Sequence, residues 1–239
     1  MAELKFAYSN PIRFRPYSKT FNGTTTIISD DLPRIDKMAN QVKYYNGVYP
    51  IPNYSADWKL GEEIEIEMEY SLQFDVEVPL TVLKLDGSYT GLSSVENITP
   101  AGWVGNDVHV CKFTPPSEGF YYMITNFGSN TDINYISDAF HVRPNNYDLV
   151  ELKYSDTENR NGVFYDSLGN LLWSPKAYFT GIVEEGDSKN EYSIYTNASA
   201  EPRKIQSDPL DTIDVKLTDI TKKHKKQLNR IFSVDNIEV

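Results

Sequence analysis

The sequence predicts a mainly β protein, with an immunoglobulin-like β-sandwich over residues 36–143 and a second β-rich domain over 144–239 that carries one C-terminal α-helix. Apolar and polar residues alternate with a period of two along several short segments, as in half-buried strands. Gly and Pro separate these segments at the short intervals that are typical of sandwiches. The chain also contains 17 Tyr, 11 Phe and 3 Trp, residues that favour strands and interfaces.

Residues 1–35 are interpreted as an N-terminal arm or as the leading strand of the sandwich. The β-branched run 24–28 favours a strand, and Asn22-Gly23 indicates a turn before it. Arg13 and Arg15 make this segment locally basic in an acidic protein, so they are candidate subunit-interface residues. An ordinary charged surface is the alternative.

The clearest alternation lies in residues 62–78. Its apolar positions are Ile64, Ile66, Met68 and Tyr70, and its acidic positions are Glu63, Glu65, Glu67 and Glu69. One face of this strand is therefore expected in the core, with the carboxylates as a solvated ladder rather than a catalytic pair in a cleft. The sequence then predicts a hairpin turn at Asp86-Gly87 and further strands at 108–113, 120–124 and 136–142.

The second domain is predicted to begin after residue 143, with strands at 149–154, 178–183 and 191–195. A helix is expected over 219–232, with Thr218 or Asp219 as its N-cap. Its predicted apolar face consists of Ile220, His224, Leu228 and Ile231, and its candidate interface residues are Lys222, Lys223, Lys226 and Arg230. Such a basic face pairs with acidic protein surface or faces water.

No catalytic, cofactor-binding or metal-binding set can be assembled from the sequence. The three His residues lack ligand spacing, and the sequence contains no HExxH, CxxC, GxSxG or phosphate-loop motif. The single cysteine, Cys111, is expected in a strand as a small buried residue. The net charge of −11 and the pI near 4.8 argue against direct nucleic-acid binding. We therefore expect a protein that is not an enzyme and needs no cofactor.

Aromatic residues offer a second kind of candidate site. Tyr44, Tyr45, Tyr49 and Trp58, with Trp103 and Trp173, could form a platform for stacking sugars, and core or subunit contact is the alternative. The N-terminus lacks the apolar region of a signal peptide, and no apolar run reaches the roughly 18 residues of a membrane span. Neither secretion by a signal peptide nor a membrane partner is expected.

Several segments resemble tail, collar and baseplate-type virion structural proteins of crAss-like and related Bacteroidetes-infecting tailed bacteriophages. These segments are 44–58, 85–87 (LDG), 119–122 (GFYY), 136–142 (ISDAFHV), 149–159 (LVELKYSDTEN) and 226–233 (KQLNRIFS). The resemblance implies a non-enzymatic structural protein, made in the host cytoplasm and carried in the virion. It would act as a ring subunit that contacts other copies of itself and other tail proteins.

On this interpretation the N-terminal arm and the C-terminal helix dock on adjacent subunits. The alternative function is a carbohydrate-binding or adhesion module that recognises a host surface glycan through its aromatic residues.

Overall fold

Among the residues that it describes, the computed structural model confirms a β-rich fold with one α-helix, near the C-terminus. It describes residues 4–7, 10–21, 24–27, 54–70, 78–99, 106–125, 133–155, 174–185, 189–196, 202–210, 213–218, 220, 222–233 and 236–239. The strands are β1 (Leu4–Phe6), β2 (Phe14–Phe21), β3 (Thr24–Ile27), β4 (Ala56–Lys59), β5 (Ile64–Tyr70), β6 (Leu80–Lys84), β7 (Thr90–Leu92), β8 (Ser94–Asn97), β9 (Asp107–Phe113), β10 (Gly119–Thr125), β11 (Ile133–Ser137), β12 (Phe140–Arg143), β13 (Leu149–Ser155), β14 (Lys176–Glu185), β15 (Lys189–Thr196), β16 (Pro202–Leu210), β17 (Ile213–Leu217) and β18 (Asn236–Glu238). The helix α1 runs Lys222–Ile231.

The first sheet has the order β1-β5-β9-β8 and contains the predicted alternation. Ile64, Ile66 and Met68 of β5 have no exposed surface, which confirms the predicted core face. Ile66 lies opposite Cys111 of the antiparallel strand β9. Cys111 is buried as expected, and burial raises the pKa of its thiol to about 11. The cysteine is therefore an inert core residue at neutral pH.

The second sheet packs its apolar face against the first, so that Met68 of β5 shares one core with Val82, Met123 and Phe140. In this sheet β10 pairs antiparallel with both β6 and β12, and β4 runs parallel to β12. Strands β5 and β9 thus occupy one layer, and β6, β10 and β12 occupy the other. This is the partition of strands B and E against C, F and G in an immunoglobulin-like sandwich.

The turn predicted at Asp86-Gly87 joins β6 to β7. Gly87 has a φ of 75°, a conformation that costs glycine little. The Asp86 carboxylate accepts a hydrogen bond from the backbone N of Ser88 over 2.9 Å. Beyond the turn, Leu83 pairs with Thr90. The hairpin signal in the sequence is therefore confirmed.

One sandwich hallmark escaped the sequence interpretation. The hydroxyl of Tyr121, near the start of β10, donates to the carbonyl O of Ser117 over 2.9 Å. A tyrosine at this place, bonded to backbone a few residues upstream, is the tyrosine corner of immunoglobulin-like domains. Met123 occupies the position two residues later where antibody domains carry a cysteine. In antibody domains the sequence signal is a tyrosine two residues before a cysteine, and here Met123 replaces that cysteine, so the signal was not recognised.

The C-terminal part has a second apolar cluster. Its buried members are Val150, Leu152 and Tyr154 of β13, Ala177 and Phe179 of β14, and Ile231 of α1. Tyr178 lies between Ala177 and Phe179 in β14, and it faces the sandwich core instead. Tyr178 also pairs with Asp57 of β4, so the sheet continues across residue 143. The domain boundary there stays a prediction.

The helix begins at Lys222, later than predicted. The backbone N of Thr218 donates to the carbonyl O of Thr180 over 2.8 Å, which continues the pairing of β17 with β14. The predicted apolar face is confirmed, because His224 and Ile231 are buried and Ile220 and Leu228 pack against the second cluster. In the described residues no helix is long and apolar enough to cross a membrane.

The acidic ladder of β5 is not solvated throughout, contrary to expectation. Glu65 and Glu69 are partly exposed, but Glu67 is only 1% exposed. Asn10 of the N-terminal segment donates from Nδ2 to the Glu67 carbonyl O and accepts from the Glu67 backbone N, both over 2.8 Å, which fixes the backbone of β5 at this residue. Burial, and then the charge of Glu69, raise the pKa of the Glu67 carboxyl well above its ordinary value.

Candidate functional site

The N-terminal segment that carries Arg13 and Arg15 is fixed within its own chain. Strand β2 pairs antiparallel with β11, and Arg15 lies opposite Ile136. The backbone N of Asp138 donates to the carbonyl O of Arg13 over 2.7 Å. Both arginines therefore lie beside the link between β11 and β12, and residues 14–21 form a strand of the second sheet rather than an arm extended from the body.

Helix α1 is tied to the same segment by a buried amide. Gln227 donates from Nε2 to the carbonyl O of Asn10 over 2.8 Å, a contact between residues 217 positions apart. The Asn10 side chain in turn bonds the backbone of Glu67 in β5. This chain of amides joins the helix, the N-terminal segment and the first sheet, and it sets the cations of α1 beside Arg13 and Arg15.

A cleft of about 440 Å³ opens between the helix and the N-terminal segment. We call it the basic cleft. Its cationic residues are Arg13, Arg15, Lys223, Lys226 and Arg230, and its other lining residues are Ser55, Asp138, Gln227 and Asn229. The structure therefore brings together five of the six cations predicted as interface residues. Lys222 is exposed and does not line the cleft.

The charge of the basic cleft is strongly unbalanced. Asp138 is its single carboxylate among the described lining residues, and it is 5% exposed. Its Oδ1 lies 2.9 Å from Lys223 Nζ and 3.7 Å from Arg15 Nη2. Five positive groups against one negative group leave a surplus of four positive charges. In a concave site such a surplus concentrates the field and attracts anions.

Two buried donors in the cleft lack a hydrogen-bond acceptor among the described residues. They are the hydroxyl of Ser55 and Nε of Arg15. Ser55 is 2% exposed, and its backbone N donates to the carbonyl O of Ala139 over 2.9 Å, which fixes its place on the cleft wall. Buried donors are almost always satisfied in folded proteins. Only the Ser55 hydroxyl is a neutral donor, because Arg15 Nε belongs to a charged guanidinium.

The sequence interpretation missed Ser55, Asp138, Gln227 and Asn229. The helical spacing of Lys223, Lys226 and Arg230 was a usable signal, because residues three and four apart share a face. Ser55 and Asp138 precede β4 and β12, and only the parallel pairing of those strands brings them to one end of the sheet. No local sequence pattern predicts the parallel pairing of β4 with β12.

A buried polar cluster lies under the helix. Arg143 donates from Nε to Asp57 Oδ1 over 2.8 Å and from Nη2 to the Tyr54 hydroxyl over 2.9 Å. Thr180 donates to Asp57 Oδ2 over 3.1 Å, and Nε2 of His224 lies 3.9 Å from the same oxygen. Asp57 is 1% exposed and His224 has no exposed surface. The cluster thus fastens β4, β12, β14 and α1 together.

The structure corrects the role of Trp58. Its indole has no exposed surface, donates from Nε1 to the carbonyl O of Glu62 over 3.1 Å and meets the edge of Tyr178 at 5.0 Å. Trp58 is therefore a core residue and cannot stack a sugar, since the alternation of β4 turns it into the sandwich. Tyr44, Tyr45, Tyr49, Trp103 and Trp173 lie outside the described residues.

Within the part of the chain that the structure describes, no group of three or more His, Cys, Asp or Glu side chains is placed to hold a metal ion. Comparison of the chain with protein-family models, with curated proteins and with solved structures finds no match.

Proposed function

We propose that this protein is a non-enzymatic structural component of a bacteriophage virion, a subunit of a tail, collar or baseplate ring. The observation that carries the assembly role is the gathering of five cations into one cleft of a chain whose net charge is −11. Complementary patches of opposite sign on one chain favour head-to-tail contact between copies. A head-to-tail contact closes into a ring when its rotation closes.

The basic cleft favours binding over catalysis. It presents guanidinium, ammonium, amide and hydroxyl groups, and its carboxylate, Asp138, is engaged by Lys223 and Arg15. A hydrolytic site would instead place a base beside a nucleophile. The virion setting and the tail-protein partners are drawn from the resemblance of the short segments, because an immunoglobulin-like sandwich is compatible with many functions.

The glycan-binding alternative receives no support from the described residues, because Trp58 belongs to the core. The candidate partners are therefore other copies of the chain and neighbouring virion proteins, with no role assigned to nucleic acid or membrane.

Light scattering combined with negative-stain imaging of the same fractions tests the proposal. We expect a mass of several subunits and closed rings at about 0.05 M salt, with dissociation at about 0.5 M salt because ions screen the charged contact. Particles that remain monomeric at both ionic strengths and at every concentration tested would overturn the proposed self-assembly. Rings that persist unchanged in high salt would contradict its electrostatic basis.

A further inference from the structure

A two-stranded ribbon extends from the sheet at the end of β14. Residues 176–180 of β14 pair with β13, whereas residues 181–185 pair with β17. Ile182, Val183 and Glu184 are exposed in succession, as are Asp214, Val215 and Lys216 on the facing strand. Successive residues of a strand point to opposite faces. Both faces of the ribbon are therefore at least partly exposed at these described positions.

The ribbon exposes apolar side chains that a monomer ordinarily buries. Ile182 is 43% exposed and Val183 is 50% exposed, and Val183 lies directly opposite Val215, which is 37% exposed. Contiguous exposed apolar residues with polar neighbours mark interaction surfaces.

The ribbon also carries an unfavourable pair of like charges. Glu184 lies directly opposite Asp214. Like charges at opposed positions of two strands destabilise the pairing. Lys216 forms an ion pair with Glu184, which relieves the repulsion only in part, because three charged groups still carry a net charge of −1. The wider segment 184–214 contains eight acidic and three basic residues, a net charge of −5. A cationic partner would relieve this repulsion.

We infer that the basic cleft of one copy receives the acidic ribbon of a second copy, with Glu184 and Asp214 directed at the cleft cations. This inference rests on the proposed self-assembly and names the two surfaces that meet. Both surfaces are present on every copy, so the contact is head-to-tail and propagates from copy to copy. The carboxylates would form ion pairs with the exposed cations of the cleft, Arg13 and Lys226. The cleft volume lies within the roughly 300–1,000 Å³ of typical ligand pockets.

A charge swap tests the contact. A cleft variant carries Arg13→Glu and Lys226→Glu, and a ribbon variant carries Glu184→Lys and Asp214→Lys. All four residues are exposed, so both variants are expected to fold. The cleft variant loses the surplus of four positive charges, and the ribbon variant sets lysines against that surplus, so sedimentation velocity should show the association of each variant alone weakened at least about tenfold. In a mixture, the introduced lysines of one variant face the introduced glutamates of the other, and the unaltered cleft faces the unaltered ribbon, so we expect association to recover.

Matched controls change the same charges elsewhere. Lys222→Glu with Lys225→Glu alters exposed helix residues outside the cleft, and Glu118→Lys with Asp148→Lys alters exposed acids outside the ribbon. These variants should assemble normally. A circular-dichroism spectrum of each protein checks its fold independently of assembly.

The outcomes separate the two proposals. If the wild-type protein forms rings and the swapped variants also do so alone, the ribbon contact is overturned while the structural role stands. If the mixture associates but the wild-type protein forms open chains rather than rings, the contact stands and the ring is overturned. If neither the wild-type protein nor the mixture associates, both fail. Binding of inorganic phosphate in the cleft, with assembly unaffected by either variant, would assign the cleft to a free anion and overturn the contact.

Discussion

The sandwich and the helix junction are held together by different kinds of contact. The sandwich core is apolar, with Ile64 and Val82 of its two sheets in one buried cluster. The junction depends instead on directional polar contacts, among them the Asp57–Arg143 ion pair and the Gln227–Asn10 hydrogen bond. The free energy gained by burying apolar area does not depend on direction, whereas a hydrogen bond requires a defined distance and angle. The sandwich therefore supplies stability, and the junction determines the shape of the basic cleft.

Removing a large core side chain should have the largest effect on stability. Trp58→Ala deletes a fully buried indole between the sheets and should lower the free energy of unfolding by about 3–5 kcal/mol in urea denaturation. Trp58→Phe keeps an aromatic ring and is the matched control, with a smaller loss expected. A loss below about 1 kcal/mol for the alanine variant would contradict the placement of Trp58 in the core.

Breaking the Asp57–Arg143 ion pair should lower the free energy of unfolding somewhat less than Trp58→Ala does. Asp57→Ala leaves the Arg143 guanidinium, whose side chain is 13% exposed, without its carboxylate, and the free energy of unfolding should fall by about 3 kcal/mol. The double variant Asp57→Ala with Arg143→Met removes both charges and should recover part of that loss. If the double variant is less stable than the single variant, the unpaired Arg143 charge is not the cause of the stability loss in Asp57→Ala. The charge-swap assay on the same proteins would then report whether the junction also shapes the cleft.

The sandwich should also lose stability in acid through a histidine that resists protonation. His141 stacks on Phe120 at 4.0 Å, and burial, followed by the charge of Arg143, lowers the pKa of its imidazole to about 3. The unfolded chain binds this proton near the ordinary pKa of 6.5, so stability is complete above 6.5 and declines as the pH falls towards 3. About 2 kcal/mol should be lost by pH 5.

His141→Phe removes this titration while keeping a ring that can stack. Urea denaturation at several pH values should give a shallower decline for the variant than for the wild-type protein between pH 6.5 and 5. Equal slopes for the two proteins would show that the His141 imidazole is protonated in the folded state.

The two regions also differ in how far the sequence predicts them. The core face of β5 and the apolar face of α1 follow from periods of two and 3.6, which depend only on neighbouring residues. The basic cleft depends on contacts such as Gln227 with Asn10, between residues 217 positions apart. The cations Lys223, Lys226 and Arg230 were predicted because the helix is strongly basic outside its apolar face. Their meeting with Arg13 and Arg15 was not, since it requires the full sheet topology.

The smallest expected effect on stability concerns Glu67 of β5. Alternation predicts this carboxyl on the solvent face of β5, yet Glu67 is 1% exposed and its carboxyl has no hydrogen-bond partner among the described residues. Its raised pKa means that the folded protein favours the protonated form. Stability is therefore complete below the ordinary pKa of 4.5 and declines as the pH rises through the raised folded value.

Glu67→Gln keeps the shape of the side chain and removes its charge. The variant should match the wild-type protein below pH 4.5 and exceed its free energy of unfolding by about 1 kcal/mol at neutral pH. Glu65→Gln, at a partly exposed position of the same strand, is the matched control and should change little. A Glu67→Gln protein that is less stable than wild type at neutral pH would show that the carboxylate is paired.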